Sequence, residues 1–138
     1  MATTTAQITI TSADIADNAM SITSTATLTN AATDTGMTET TGLARKTADF
    51  SSNTVLLDSD HAQSGITADK ASKVFIKNTN ARGDGSKYVN VLIQAVEIGR
   101  LYGGDWMFIP WAGGTGNDIE VTASDSTSTT LEYMTIFE

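Results

Sequence analysis

Two stretches decide the fold: Asp118-Ile119-Glu120-Val121-Thr122-Ala123-Ser124 and, after a few turn residues, Leu131-Glu132-Tyr133-Met134-Thr135-Ile136-Phe137-Glu138. In the first stretch, Ile119, Val121 and Ala123 alternate with polar or acidic residues. A two-residue period of this kind is typical of a strand with one buried face and one face in water. Both stretches are therefore predicted to be β-strands.

An earlier segment, from Met20 to Thr29, alternates in the same way. We expect its apolar face to lie in the core. We expect its other face to form a surface ladder of hydroxyl groups, since hydroxyl pairs between strands stabilise sheets. An ordered array of hydroxyls would also suit ice or a sugar, which is the weaker alternative. The apolar face consists of Met20, Ile22, Ser24, Ala26 and Leu28, and the hydroxyl face of Ser21, Thr23, Thr25, Thr27 and Thr29.

The rest of the chain supports an all-β fold. Threonine makes up about one residue in six, and β-branched side chains favour strands over helices. Eight or nine short strands separated by turns indicate an antiparallel β-sandwich of jelly-roll type. We expect one domain over residues 1–138, with 1–19 a candidate N-terminal arm and 30–41 a loop. The other predicted strands lie at 7–11, 42–50, 53–58, 73–77, 88–96 with 98–101 as a continuation, and 105–111.

Composition excludes several classes of function. The net charge of −8 and a pI near 4.4 argue against nucleic-acid binding, because only eight Lys and Arg are present and they are scattered. The chain has no Cys, so thiolate metal sites and disulfides are excluded. We expect no signal peptide and no membrane span, since the apolar runs are only a few residues long. The sequence therefore predicts a soluble protein made in the cytoplasm of a cell.

Residues suited to metal binding occur around the only histidine, in Asp58-Ser59-Asp60-His61. Transition-metal sites need three or four ligands, which this cluster does not supply, so we interpret it as a polar loop and expect no cofactor. Calcium remains an alternative at Asp58 and Asp60 or at Asn117 and Asp118, because it prefers hard oxygen ligands.

Catalytic and receptor-binding motifs are weak. A glycosidase pair could come from Glu97, Glu120 and Glu132, but we expect these carboxylates on the wet faces of strands. No serine lies in a nucleophile elbow. Two further matches, Arg82-Gly83-Asp84 and Gly113-Gly114-Thr115-Gly116, are each explained by a turn. The chain is therefore predicted not to be an enzyme.

Four aromatic residues cluster between two glycine loops and are candidates for a protein interface or a sugar platform. We expect Trp106 and Phe108 to fill the core. Trp111 follows Pro110 and precedes a glycine loop, so we expect it to be the exposed one. The interface candidates are Tyr102, Trp106 and Trp111.

The order of segments in the second half of the chain resembles that of small virion proteins of tailed bacteriophages. A strand ending in Ile76-Lys77-Asn78-Thr79 precedes Leu101-Tyr102-Gly103-Gly104 and the aromatic strand Asp105 to Trp111, and Leu131-Glu132-Tyr133 opens the final strand. The threonine-rich first half is similar only in composition.

This resemblance implies a non-enzymatic subunit of the virion, assembled in the host cytoplasm, of the capsid decoration (cement) type. The implied partners are the major capsid protein and further copies of the chain, as a trimer, with no nucleic acid or membrane. Ala2 to Thr11 or the loop Asn30 to Thr41 is expected to add to a neighbour as a strand. The alternatives are a head-fibre, tail or baseplate component and a carbohydrate-binding module that uses Tyr102 and Trp111.

Overall fold

A computed structural model describes residues 3–15, 19–31, 33, 35–60, 70–83, 87–112 and 116–138. Within these residues the chain forms strands and no helix, so the predicted all-β class is confirmed. The eleven strands exceed the eight or nine predicted. They are β1 Thr4–Ser12, β2 Met20–Leu28, β3 Glu39–Thr40, β4 Ala44–Ala48, β5 Thr54–Leu57, β6 Ser72–Asn78, β7 Tyr88–Ile93, β8 Val96–Tyr102, β9 Trp106–Pro110, β10 Ile119–Ala123 and β11 Thr129–Phe137.

Nine of the strands form two antiparallel sheets that pack face to face. The first sheet has the order β5-β10-β7-β8, and in the second β11 pairs with β3, β4 and β6, while β9 follows β6 at the edge. One buried cluster contains side chains from both sheets, such as Val91 and Ile119 from the first and Ile76 and Leu131 from the second. The predicted antiparallel β-sandwich is therefore confirmed, and its jelly-roll connectivity stays a prediction.

Strand β6 lies between β11 and β9 and has two different faces. Ser72, Val74, Ile76 and Asn78 are buried in the sandwich, whereas the intervening residues are only half-buried on the opposite face. This alternation follows from the two-residue period of a strand. The outward row carries Phe75 between Lys73 and Lys77. These side chains are only half-buried, so a further partner can contact them.

The single strand predicted over residues 88–96 is wrong, because the chain reverses at Gln94 and Ala95. Their φ angles are 50° and 60°, and this two-residue turn joins β7 to β8. Turns with two positive φ angles usually carry Asn or Gly. Gln94 and Ala95 are not residues of this kind. The alternation of side chains therefore runs through the turn in the sequence and hides the hairpin.

Strands β1 and β2 form a hairpin outside both sheets, which we call the arm. They pair along their whole lengths, from Thr4 opposite Leu28 to Ser12 opposite Met20. The prediction that the apolar face of β2 lies in the core is wrong, since Ile22 is 50% exposed and within β2 only Leu28 is buried. The inner backbone groups of the hairpin pair with each other, and its isoleucines are not part of the buried core. Only β1 falls within the candidate arm at residues 1–19.

The base of the arm is fixed to the sandwich near Met37, which is fully buried. The Met37 amide donates to the Leu28 carbonyl at 3.0 Å, and the Thr4 hydroxyl donates to the Met37 carbonyl at 2.9 Å. The segment 30–41, predicted to be a loop, thus contains part of this anchor and also β3, where Thr40 pairs with Ile136. The aperiodic sequence hid both features.

The turn between β8 and β9 connects the two sheets and packs tightly against β6. The buried Asn78 side chain donates to the Leu101 carbonyl at 3.0 Å, and the Asn78 carbonyl accepts the Gly104 amide at 3.0 Å. A Cβ at Gly103 would lie 2.2 Å from the Ala81 carbonyl oxygen, a backbone atom that cannot easily move. This close approach requires glycine at position 103.

We therefore expect Gly103→Ala to lower the free energy of unfolding by about 2 kcal/mol, as overpacking typically does. Gly99→Ala is the matched control, because a Cβ there meets only the Met107 Cε at 3.7 Å. This control should be neutral or stabilising by up to about 1 kcal/mol, since glycine weakens a strand. Urea unfolding measures both, and equal stabilities for the two variants would contradict the account of the turn.

Candidate interaction surface

An open cleft of about 990 Å³ lies between the arm and the outward face of β6 and β9. Most of its lining is apolar, and it includes side chains from both of its sides. A space of this size is at the upper end of the range for binding pockets. Its main lining residues are Ile8, Ala26 and Leu28 from the arm and Phe75, Trp106 and Phe108 from the sheet.

The aromatic floor of the cleft follows from the register between β6 and β9. Phe75 lies opposite Phe108, and Lys77 lies opposite Trp106. Residues that are opposite each other in a sheet share a face, so these side chains all point away from the core. The Phe75 and Trp106 rings are 6.3 Å apart, and Trp106 is 50% exposed. The floor therefore offers a large aromatic surface to a partner.

The arm carries the second exposed apolar surface. Its register places Ile8, Ile10 and Ile22 on one face, and each of these side chains is between 41% and 50% exposed. The opposite face is the predicted ladder, in which the Thr9 and Thr23 hydroxyls are 3.5 Å apart. A two-stranded hairpin of this kind is only marginally stable alone in water, so its apolar face needs a covering partner.

The charges on the two surfaces differ in sign. The chain contains no Lys or Arg before Arg45, so the arm has no basic residue, and it carries Asp14 beyond the end of β1. Lys73 and Lys77 line the cleft. In a chain with a net charge of −8, two lysines beside an apolar floor form a local basic site.

The structure reverses the predicted roles of the two tryptophans. Trp111, predicted to be exposed, is only 3% exposed, and its indole donates to the Asn117 carbonyl at 2.8 Å. Trp106, predicted to fill the core, is exposed on the cleft floor, where Phe108 is half-buried. The difference follows from the register of β9. Trp106, Phe108 and Pro110 share its outward face, whereas Trp111, directly after the strand, packs in the core.

The third predicted interface residue, Tyr102, lies on β8 and does not line the cleft. It is 38% exposed, and its ring packs against Tyr88 with 5.4 Å between centroids. Of the three candidates, only Trp106 contributes to the surface described above. Phe75 also lines the cleft but was missed, because a short run of apolar residues does not reveal an outward-facing position.

Some of the polar candidates lie within the described residues, and others lie outside them. His61, Asp84 and residues 113–115 lie outside the described residues. The Asp118 carboxylate accepts from both the amide and the hydroxyl of Ser59 at 2.8 Å, and Asp58 accepts the Asp60 amide at 2.9 Å. Within the described ranges, no group of three or more His, Cys, Asp or Glu could hold a metal.

The three glutamates predicted on wet strand faces are each engaged locally. Glu97 pairs with Arg100 at 3.0 Å, and Glu120 accepts the Ala95 amide at 3.1 Å. Glu132 lies in the second sheet, where it forms an ion pair with Arg45 of the neighbouring strand β4. Because Glu132 belongs to a different sheet, the structure does not bring the three carboxylates into one site.

Glu138 helps to hold the base of the arm. Its carboxylate accepts the Ala31 amide at 2.7 Å and lies 3.4 Å from the Lys70 ammonium group. Desolvation raises the pKa of Glu138, but the Ala31 amide, the Lys70 ammonium group and the Ala71 amide together outweigh it, so the pKa is lowered from its ordinary value. A lowered pKa means that the ionised form stabilises the folded state.

This stabilisation is fully present above the ordinary glutamate pKa of 4.5 and is lost as the pH falls through the lower, folded value. We expect Glu138→Gln to lower the melting temperature at pH 7. The difference from the parent protein should disappear below the folded pKa. Thermal unfolding between pH 7 and pH 3 measures the effect, and a difference independent of pH would contradict it.

The exposure of the two tryptophans can be tested separately, because the chain contains only these two. In Trp111→Phe, measured on protein dilute enough to be monomeric, the remaining Trp106 should be quenched readily by iodide and emit at long wavelength. In Trp106→Phe, the buried Trp111 should resist quenching. Trp111→Ala should also cost about 3–5 kcal/mol of stability, as large buried truncations do. Equal quenching in the two Phe variants would show that the assignment of surfaces is wrong.

Comparison with models of known protein families gave no match, and comparison with curated proteins gave none either. Within the described ranges there is no helix long and apolar enough to cross a membrane. The arm and the cleft are therefore interpreted from their own geometry.

Proposed function

We propose that the chain is a non-enzymatic structural protein of a virion, a decoration (cement) protein that stabilises a phage head by contacting major capsid proteins. The observation that carries the proposal is the arm, a hairpin that leaves its own sandwich and exposes isoleucines along one face. Exposed apolar patches mark interaction sites. On the particle, a neighbouring subunit would cover this surface.

The edges of the arm give a second argument. Among the described residues, β1 and β2 pair only with each other, so each has an outer edge whose backbone groups can accept another strand. Strand addition supplies main-chain hydrogen bonds and fixes register without requiring a deep pocket. This is the kind of contact that suits a subunit clamped onto a larger shell.

The proposal also assigns no catalytic role. The glutamates suited to acid–base chemistry are engaged in separate ion pairs and hydrogen bonds. The carbohydrate-binding alternative loses its predicted platform, because Trp111 is buried while Tyr102 lies on the surface. A head-fibre, tail or baseplate role would use the same arm and remains an alternative within the class of virion proteins.

Co-sedimentation with empty heads of the phage that encodes the chain tests the proposal. The matched variant replaces residues 8–24 by Asn-Gly, which joins Gln7 to Thr25 across the register by a favoured hairpin turn. The buried Leu28 and Met37 at the base are kept. We expect the parent protein to pellet with the heads and to raise their melting temperature, and the short-arm variant to bind at least tenfold more weakly.

Three results would count against this proposal. If the parent protein stays in the supernatant and instead binds a glycan array, the carbohydrate-binding alternative is favoured. If it binds tails or baseplates but not heads, the decoration role is wrong while the virion class stands. Full head binding by the short-arm variant would show that the arm does not contact the head.

A further inference from the structure

We propose that the cleft of one copy receives the outer half of the arm of a second copy, so that the copies join head to tail. The outer half is the end remote from Met37 and carries Ile10 and Ile22. This contact concerns copies of the chain alone, and it does not depend on the proposed binding to a capsid.

The first argument is that the described residues of the chain leave these isoleucines uncovered. Ile8 and Ala26, nearer the base, line the cleft of their own copy. Ile10 and Ile22 lie opposite each other farther along the same face but are not among its lining residues. They remain 45% and 50% exposed, so a second molecule must supply the surface that buries them.

The second argument is that the cleft matches this occupant chemically. Its floor is aromatic and most of its lining is apolar, so isoleucine side chains would contact apolar surface there. Lys73 and Lys77 beside the floor would meet an arm that has Asp14 near its end and no basic residue. Opposite charges across an interface steer association and select the partner.

The third argument concerns symmetry. Arm and cleft are different surfaces, so their contact is heterologous and closes into a ring when the rotation permits. The strands of the arm would extend about 30 Å at the usual rise per residue, which is long enough to reach an adjacent copy. A closed ring would bury the isoleucines of every copy in the same way.

Cross-linking between two differently labelled chains tests the contact directly, because the chain has no cysteine of its own. A ¹⁵N-labelled Ile10→Cys chain is mixed with an unlabelled Trp106→Cys chain and treated with a short bismaleimide. We expect a mixed-isotope dimer whose linked peptides contain the two introduced cysteines. The matched control replaces Ile10→Cys by Thr23→Cys, on the opposite face of the arm, and should give at least fivefold less product.

Light scattering supplies the second measurement. The parent protein should have a mass of two or more chains of 14.5 kDa each. The double variant Ile10→Asp/Ile22→Asp should associate at least tenfold more weakly. The control Thr9→Asp/Thr23→Asp adds the same charge at a neighbouring pair on the other face and should associate as the parent does. Urea unfolding of both variants checks that the sandwich remains folded.

A parent protein that is monomeric at all concentrations would overturn this inference. So would an oligomer whose mass is unchanged by Ile10→Asp/Ile22→Asp and whose mixed cross-link is absent. A monomer that still binds phage heads would refute the arm-in-cleft contact but not the proposed function. A ring that does not bind heads would refute the proposed function alone.

Discussion

The two-faced character of β6 is the constraint on which the rest of the structure depends. One face provides Val74, Ile76 and Asn78 to the buried core, and the other presents Phe75 between two lysines. Its neighbours β11 and β9 must keep their registers for both faces to work. A shift of one residue would exchange the faces, sending Phe75 and the lysines into the core. The register that folds the sandwich thus also builds the cleft.

The arm shows that a strand with alternating apolar and polar residues need not pack in the core of its own chain. β1 and β2 have the alternation of strands with one buried face, and they satisfy each other's inner backbone groups. They are joined to the sandwich mainly at the base, through Met37 and Thr4. The apolar face is consequently exposed in the isolated chain. An exposed face of this kind is a liability for a monomer and an advantage for a subunit that is always assembled.

Sequence reasoning identified the class of the fold because alternation is a local property. The segments containing β6, β10 and β11 were all predicted as strands. What it could not identify depends on which strand lies beside which. The alternation of Met20 to Leu28 indicates a covered face but not whether the covering partner is the same chain. Gln94 and Ala95 adopt a turn that their side chains do not favour.

The interaction surface was the hardest part to predict. Trp106 and Trp111 are separated by four residues of one strand, and only the register against β6 decides which is outward. The turn at Gly103 and the anchor of the arm at Met37 are likewise contacts between distant parts of the chain. No local pattern reports them. Aromatic content indicated a surface, while the geometry selected Trp106 and added Phe75.

The central claim is that the isoleucine face of the arm and the aromatic floor of the cleft are exposed in the free chain and covered in its working assembly. Hydroxyl-radical footprinting with mass spectrometry measures this directly at Ile10, Ile22 and Trp106, on dilute protein and on purified virions. The account predicts strong labelling of all three side chains in the dilute protein and clear protection on the particle. Equal labelling in the two states would contradict it.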